Sequence, residues 1–135
     1  TMWFGLLDPA DGSLACAGAG HEPPMLVRAA GGCDELAIGG LVVGIDADAA
    51  YEVQHATLAP GDALVAYTDG ATDVMSFGGQ RFGKQRLLAM LTQLSEHSGS
   101  SSAYDVLGGI LRELRQFGGL TVRQDDSTIV VVRRT

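Results

Sequence analysis

The first half of the chain carries short apolar runs, alternating or continuous, that glycine, proline and aspartate interrupt at close intervals. Runs of this kind predict β-strands joined by tight turns. The predicted strands cover 2–7, 13–17, 25–28, 51–58 and 63–67. We expect the first three to form a meander. The clearest turn signals are Asp-Pro-Ala-Asp-Gly at 8–12 and Pro-Gly-Asp at 60–62.

The second half changes to helical spacing. From Lys84 the leucines recur at intervals that place them on one face of a helix. A Ser/Gly/His linker over 95–102 leads to a second helix with Ser101 or Ser102 as its N-cap and Gly118-Gly119 at its end. The predicted inward residues of this helix are Val106, Leu107, Ile110, Leu111, Leu114 and Phe117. A β-branched strand over 127–133 closes the pattern, so the fold class is α+β with a largely antiparallel sheet.

Composition and charge narrow the class of protein. The 135 residues are 46% hydrophobic and 19% charged, which excludes intrinsic disorder. A net charge of −7 without a basic patch argues against nucleic-acid binding. The longest apolar stretch, 38–45, is too short to span a bilayer. Cys16 and Cys33 lack the spacing of a zinc site and indicate reduced thiols in the cytoplasm.

The chain starts at Thr1 inside an apolar pattern, without a preceding turn or cap. We therefore expect residues 1–135 to be one partial domain of a longer protein. If neighbouring strands are missing, the strand over 2–7 offers an apolar edge, and such an edge promotes pairing with a second copy. The sequence thus predicts a possible homodimer for the isolated chain.

An aspartate follows the buried strand over 63–67 in the segment Tyr67-Thr68-Asp69-Gly70. The strand end would hold the Asp69 carboxylate in place, while Gly70 lets the backbone turn away. Mg²⁺ and Mn²⁺ prefer rigid carboxylate oxygens of this kind. The alternative is an aspartate that only caps the following turn.

Two further segments could belong to the same site. Asp125 and Asp126 precede the last strand, and adjacent carboxylates repel each other unless solvent or a cation neutralises them. Their alternative is a plain acidic turn, but two acidic strand ends in one α+β domain are what a divalent-metal cleft requires. The segment 18–24 places Gly20 and His21 in a loop either near the cleft or in a rigid local turn.

Five motifs occur in order along the chain. They are Gly18-Ala19-Gly20-His21-Glu22-Pro23-Pro24, Pro60-Gly61-Asp62-Ala63-Leu64, Tyr67-Thr68-Asp69-Gly70-Ala71-Thr72-Asp73, Phe82-Gly83 before Arg86-Leu87, and Asp125-Asp126-Ser127-Thr128. Together they resemble the C-terminal part of the bacterial SpoIIE-like branch of the metal-dependent type 2C (PPM) serine/threonine phosphatases. The resemblance covers nearly the whole chain.

The resemblance implies two antiparallel sheets packed face to face with helices outside, and two Mn²⁺ or Mg²⁺ ions in a cleft at one end. A metal-bound water would attack the phosphorus of phosphoserine or phosphothreonine, so no side chain acts as nucleophile. Motif matching assigns Asp69 and Asp125 as metal ligands, with Gly70 and Asp126 as further candidates. Gly20 and His21 would lie in a substrate-proximal loop.

The family also implies partners and a missing segment. The substrate would be a phosphorylated protein of the anti-anti-sigma type, and a sensor or receiver domain would precede the phosphatase domain. The family's other aspartate motif, which normally lies upstream, has no match here, so we expect the chain alone to have little activity. The alternative is an inactive phosphatase-like module that binds a protein.

Overall fold

A computed structural model describes residues 1–37, 39–96, 102–120 and 125–135. The strands in these ranges are β1 (Met2–Leu7), β2 (Ser13–Ala19), β3 (Met25–Val27), β4 (Cys33–Glu35), β5 (Gln54–Thr57), β6 (Ala63–Tyr67) and β7 (Ile129–Arg133). The helices are α1 (Asp69–Thr72), α2 (Gly83–Glu96) and α3 (Ala103–Gly118).

The strands form two antiparallel sheets, one with the order β1-β2-β5 and one with the order β4-β3-β6-β7. The α+β class is therefore confirmed, but the predicted meander is wrong at its third strand. After Ala19 the chain leaves the first sheet, and β3 pairs with β4 and β6 of the second. Pro23 and Pro24 lie in this crossing, and proline cannot donate the N–H that a continued ladder would need.

Two apolar layers hold the sheets and helices together. On β3 and β6, Met25, Val27 and Val65 pack against α2 and α3, whereas Leu26 and Leu64 pack against Leu14 of the first sheet. This alternation is the two-residue period of a strand buried on both faces. The two sheets therefore lie face to face, with α2 and α3 covering the outer side of the second sheet.

The predicted helices are confirmed with small changes at their ends. Two residues predicted to face inward, Leu107 and Leu111, are only half-buried and do not belong to the core, because the apolar face of α3 centres on Val106, Ile110 and Leu114. Ser102 is the N-cap of α3: its hydroxyl accepts the Asp105 N–H, while the Asp105 carboxylate accepts the Ser102 N–H at 2.7 Å. This reciprocal pair is a capping box. Gly119 follows the last residue of α3 with φ of +57°. Residues 97–101 of the predicted linker, with the other candidate cap Ser101, lie outside the described residues.

The outer face of the first sheet is apolar along β1. Met2, Phe4 and Leu6 are 51%, 60% and 67% exposed, while Trp3 and Leu7 turn inward and pack between the sheets. The strand predicted over residues 2–7 thus has one apolar face inside the sandwich and one exposed to solvent. As predicted, β1 lies at the edge of its sheet. None of the described helices is long and apolar enough to cross a membrane.

Candidate metal centre at the end of two strands

The aspartates predicted from sequence follow β6 and precede β7, and these two strands are paired. Tyr67 lies opposite Ile129 at the last position of the ladder. Beyond it, the Thr68 N–H donates to the Thr128 carbonyl at 3.0 Å, and the Thr128 N–H donates to the Thr68 hydroxyl at 3.0 Å. That hydroxyl donates in turn to the Asp126 carbonyl at 3.3 Å. Thr68 therefore joins the two acidic segments directly.

Gly70 allows the two segments to come into contact. A Cβ atom at this position would lie 2.3 Å from the Asp126 carbonyl oxygen and 3.1 Å from the Ser127 hydroxyl. No real side chain tolerates the shorter distance, so only glycine permits this approach. The glycine of the Asp69-Gly70 motif thus has a structural reason that the sequence alone did not reveal.

The carboxylates of Asp69 and Asp125 adopt the same local arrangement. One oxygen of Asp69 accepts the N–H of Gly70 at 2.9 Å, and one oxygen of Asp125 accepts the N–H of Asp126 at 2.8 Å. All three aspartates are exposed to solvent. The residues before Asp125, 121–124, lie outside the described part of the chain. The fold thus brings together, along the backbone, the two segments that the sequence analysis singled out.

These donors match a hard divalent cation in type but are too few for a complete site. Carboxylate oxygens suit Mg²⁺ and Mn²⁺. Among the described residues, however, no group of three or more His, Cys, Asp or Glu side chains is placed to hold an ion. Beside Gly70, the Ser127 hydroxyl is buried without a described hydrogen-bond partner, so a polar atom is available there for water. The residues therefore fit one part of a metal site.

The loop with Gly20 and His21 lies at the same end of the second sheet. β3 begins at Met25 opposite Val65, two positions before β6 ends, so the segment leading into β3 lies beyond that end. Gly20 has φ of +67°, and a Cβ atom there would lie 2.5 Å from Val42. His21 Nδ1 is 3.2 Å from the Thr1 hydroxyl. The role of this loop toward a substrate stays a prediction.

Asp62, in the Pro-Gly-Asp turn, is a buried carboxylate to which the sequence patterns assigned no role beyond the turn and its motif. It is 3% exposed and accepts the Ala29 N–H at 2.8 Å, the Ala59 N–H at 3.0 Å and an Arg28 N–H at 3.0 Å. Arg28 also donates to the Thr57 carbonyl, so it links the second sheet to β5 of the first. Asp62 lies before β6, at the opposite end from Asp69, and its role is structural.

Tyr67 was also missed by sequence reasoning, which treated it only as the end of a buried strand. Its hydroxyl is buried and has no hydrogen-bond partner in the described part of the chain. Burial raises the pKa of Tyr67, and the carboxylates of Glu22 and Glu35 raise it further. In the described part of the chain, the Tyr67 hydroxyl is therefore a buried, neutral polar group beside the Asp69 segment.

The two sheets, their strand order and the acidic segments at one end define part of a PP2C-type phosphatase fold. The SiaA-PP2C domain of Pseudomonas aeruginosa superimposes with a TM-score of 0.73 at 26% identity, covering 91% of the chain and 47% of that structure. The Mn-presoaked phosphatase domain of the cell fate determinant SpoIIE from Bacillus subtilis has a TM-score of 0.69 at 20% identity, covering 98% and 56% respectively.

The sequence comparison agrees with the fold. The family model "Stage II sporulation protein E (SpoIIE)" matches residues 1–135, and the chain belongs to this family. Protein IcfG of Synechocystis sp. is 32% identical over 134 residues, or 99% of the chain. The chain spans 20% of the length of that protein. The resemblance stated from the motifs is thus confirmed.

Proposed function

We propose that the chain is the C-terminal part of a metal-dependent phosphatase domain that hydrolyses phosphoserine or phosphothreonine in a protein. The observation that carries this proposal is the contact between Gly70 and Asp126, which brings the Asp69 and Asp125 segments together at one sheet end. Asp69 and Asp125 would hold Mn²⁺ or Mg²⁺, with the Gly70 carbonyl and Asp126 as further ligands. The metal would supply a water of lowered pKa and neutralise phosphoryl charge.

The chain's own residues would position this centre. Thr68 fixes the distance between the two acidic segments through its three hydrogen bonds. Gly70 keeps the contact free of a side chain. The Gly20–His21 loop, at the same sheet end, would border the bound phosphoprotein. The remaining metal ligands would come from another part of the parent protein.

Family membership supports a more specific biological setting. The substrate would be an anti-anti-sigma-type phosphoprotein in the cytoplasm, and an upstream sensor or receiver domain would control the phosphatase. The exposed outer face of β1 would be covered by the rest of the domain or, in the isolated chain, by a second copy.

One observation favours a second candidate, a phosphatase-like module that binds a protein without catalysis. The described residues hold no metal-ligand group of three or more. An upstream aspartate motif in the parent protein would favour the enzyme, and its lack would favour the binding module.

The experiment compares phosphate release from a phosphoserine protein by the full-length protein with and without Mn²⁺. Asp69→Asn and Asp125→Asn should each sharply lower turnover while the thermal unfolding midpoint stays near that of the native protein. Asp34→Asn, on exposed β4 away from the site, serves as the matched control and should retain activity. Mn²⁺-independent turnover, or full activity of both site variants, would refute the proposal.

A further inference from the structure

The outward face of α3 carries basic side chains that have no partner among the described residues. Arg112 and Arg115 are exposed, and neither forms an ion pair or side-chain hydrogen bond with the described residues. The other described basic side chains are engaged: Arg28, Arg81 and Lys84 in ion pairs, Arg86 over the Phe117 ring, and Arg133 and Arg134 on backbone carbonyls. Unpaired cations on one helix face are therefore unusual in this acidic chain.

One turn before Arg112, a glycine of α3 has no explanation within the described chain. Gly109 has a packing reason, since the side chain of Leu94 in α2 approaches within 3.1 Å of its Cβ position. Around the Cβ position of its neighbour Gly108, in contrast, nothing lies within 4 Å. Glycine inside a helix is less stable than alanine, so Gly108 weakens α3 without a packing benefit. A surface that approaches α3 from outside would provide that benefit.

Helical spacing aligns these residues into one stripe. The stripe lies on the face of α3 opposite its buried residues, Val106, Ile110 and Leu114. Its members are Tyr104, Gly108, Leu111, Arg112 and Arg115. They border two adjoining hollows on either side of Gly108. Tyr104 is 85% exposed. Tyrosine and arginine around a recessed centre are the side chains that dominate protein interfaces.

The charge of the stripe determines its partner. The Asp105 carboxylate at the edge of the stripe accepts the Ser102 N–H and hydroxyl and stays ionised. The two arginines exceed this one carboxylate in number, so the stripe keeps an excess of positive charge. Arg115 lies in the last turn, where a cation complements the helix carbonyls, but Arg112 does not have that role. We propose that the α3 stripe is a docking surface for an acidic protein segment that places an apolar side chain over Gly108.

Other occupants fit the observations less well. Nucleic acid and anionic membranes require more than two cations to overcome a net charge of −7. A second copy of this chain in a symmetric dimer would bring the same positive stripe against the first, and like charges repel. The stripe lies on α3, outside the Asp69 segment, so its test is independent of phosphatase activity.

The experiment selects phage-displayed random peptides on the full-length protein and measures the chosen peptides by fluorescence anisotropy. We expect peptides rich in Asp and Glu with an apolar residue among them. Arg112→Gln with Arg115→Gln should weaken binding by about tenfold or more. Gly108→Gln should also weaken it without lowering the thermal unfolding midpoint, since glutamine favours helix.

A charge change on another helix separates the effect of the stripe from the effect of the protein's net charge. Gln85→Glu on the exposed side of α2 adds one negative charge elsewhere and should leave binding unchanged. Selected peptides without acidic enrichment, or peptides that bind the stripe variants as they bind the native protein, would overturn the proposal. The proposal would also be overturned if the stripe variants bound the selected peptides normally but lost binding to vesicles, binding to single-stranded DNA, or self-association.

Discussion

Replacing Gly70 by alanine should force apart the two segments that form the candidate metal centre. The new Cβ atom would lie 2.3 Å from the Asp126 carbonyl oxygen, roughly 1 Å closer than ordinary contact allows. That oxygen belongs to the backbone and also accepts the Thr68 hydroxyl, so it cannot move alone. The strain therefore falls on the 125–128 segment and its bonds to Thr68.

The size of the effect follows from these contacts. Overpacking of this kind costs about 1–3 kcal/mol, and loss of the hydrogen bond from Thr68 to Asp126 adds about 1 kcal/mol. Alanine regains up to about 1 kcal/mol because Gly70 lies in α1. We expect the free energy of unfolding of Gly70→Ala to fall by about 2 kcal/mol.

Urea unfolding of the full-length protein measures this loss, and Gly78→Ala is the control. The nearest atom to a Cβ at Gly78 is 3.9 Å away, so that variant should stay within about 0.5 kcal/mol of the native protein. If Gly70→Ala proves as stable as Gly78→Ala, the close contact does not exist in solution and the reasoning fails.

Two further predictions concern stability away from the candidate centre. Asp62→Ala should cost about 3 kcal/mol of unfolding free energy because it leaves two backbone N–H groups without their acceptor and removes the buried partner of Arg28. Asp34 pairs the same arginine at the surface, so Asp34→Asn should cost at most about 1 kcal/mol. Equal losses in urea unfolding would contradict the structural role of Asp62. Burial raises the pKa of Cys16, and burial together with Asp34 raises that of Cys33 to about 12. Because these folded pKa values exceed those of unfolded thiols, the unfolding free energy should decline as pH rises above about 8.5. The slope should be smaller in Cys33→Ala, and an unchanged slope would show that the half-buried Cys33 thiol does not have a raised pKa.

The sequence predicted elements best where one local pattern was sufficient. β6 was predicted with its observed bounds, since its five residues are continuously apolar between a Pro-Gly-Asp turn and an aspartate. The capped start of α3 was predicted for the same reason, with Ser101 or Ser102 as the cap, and Ser102 is the residue that caps it. β4 was missed because Cys33-Asp34-Glu35 has no apolar alternation and is a strand only through its pairing with β3. The placement of β3 in the second sheet was also missed, because it depends on pairing with strands that are distant in sequence.

The candidate centre was predicted only in part. The aspartates could be selected from local sequence because each lies beside a strand end. The contact that joins them depends on the register of β6 against β7, which local sequence does not encode. The function of Asp62 was missed because the residues it bonds, Arg28 and Ala29, precede it by more than thirty positions.

The central claim is that Asp69 and Asp125 bind the same metal centre. The most direct measurement is Mn²⁺ affinity of the full-length protein by electron paramagnetic resonance, for Asp69→Asn, Asp125→Asn and the double variant. Each single change should weaken binding by at least about tenfold, and the double variant should be weaker by much less than the product of the two, because both ligands serve one site. Unchanged Mn²⁺ affinity in either single variant, or losses that multiply fully in the double variant, would contradict a shared centre.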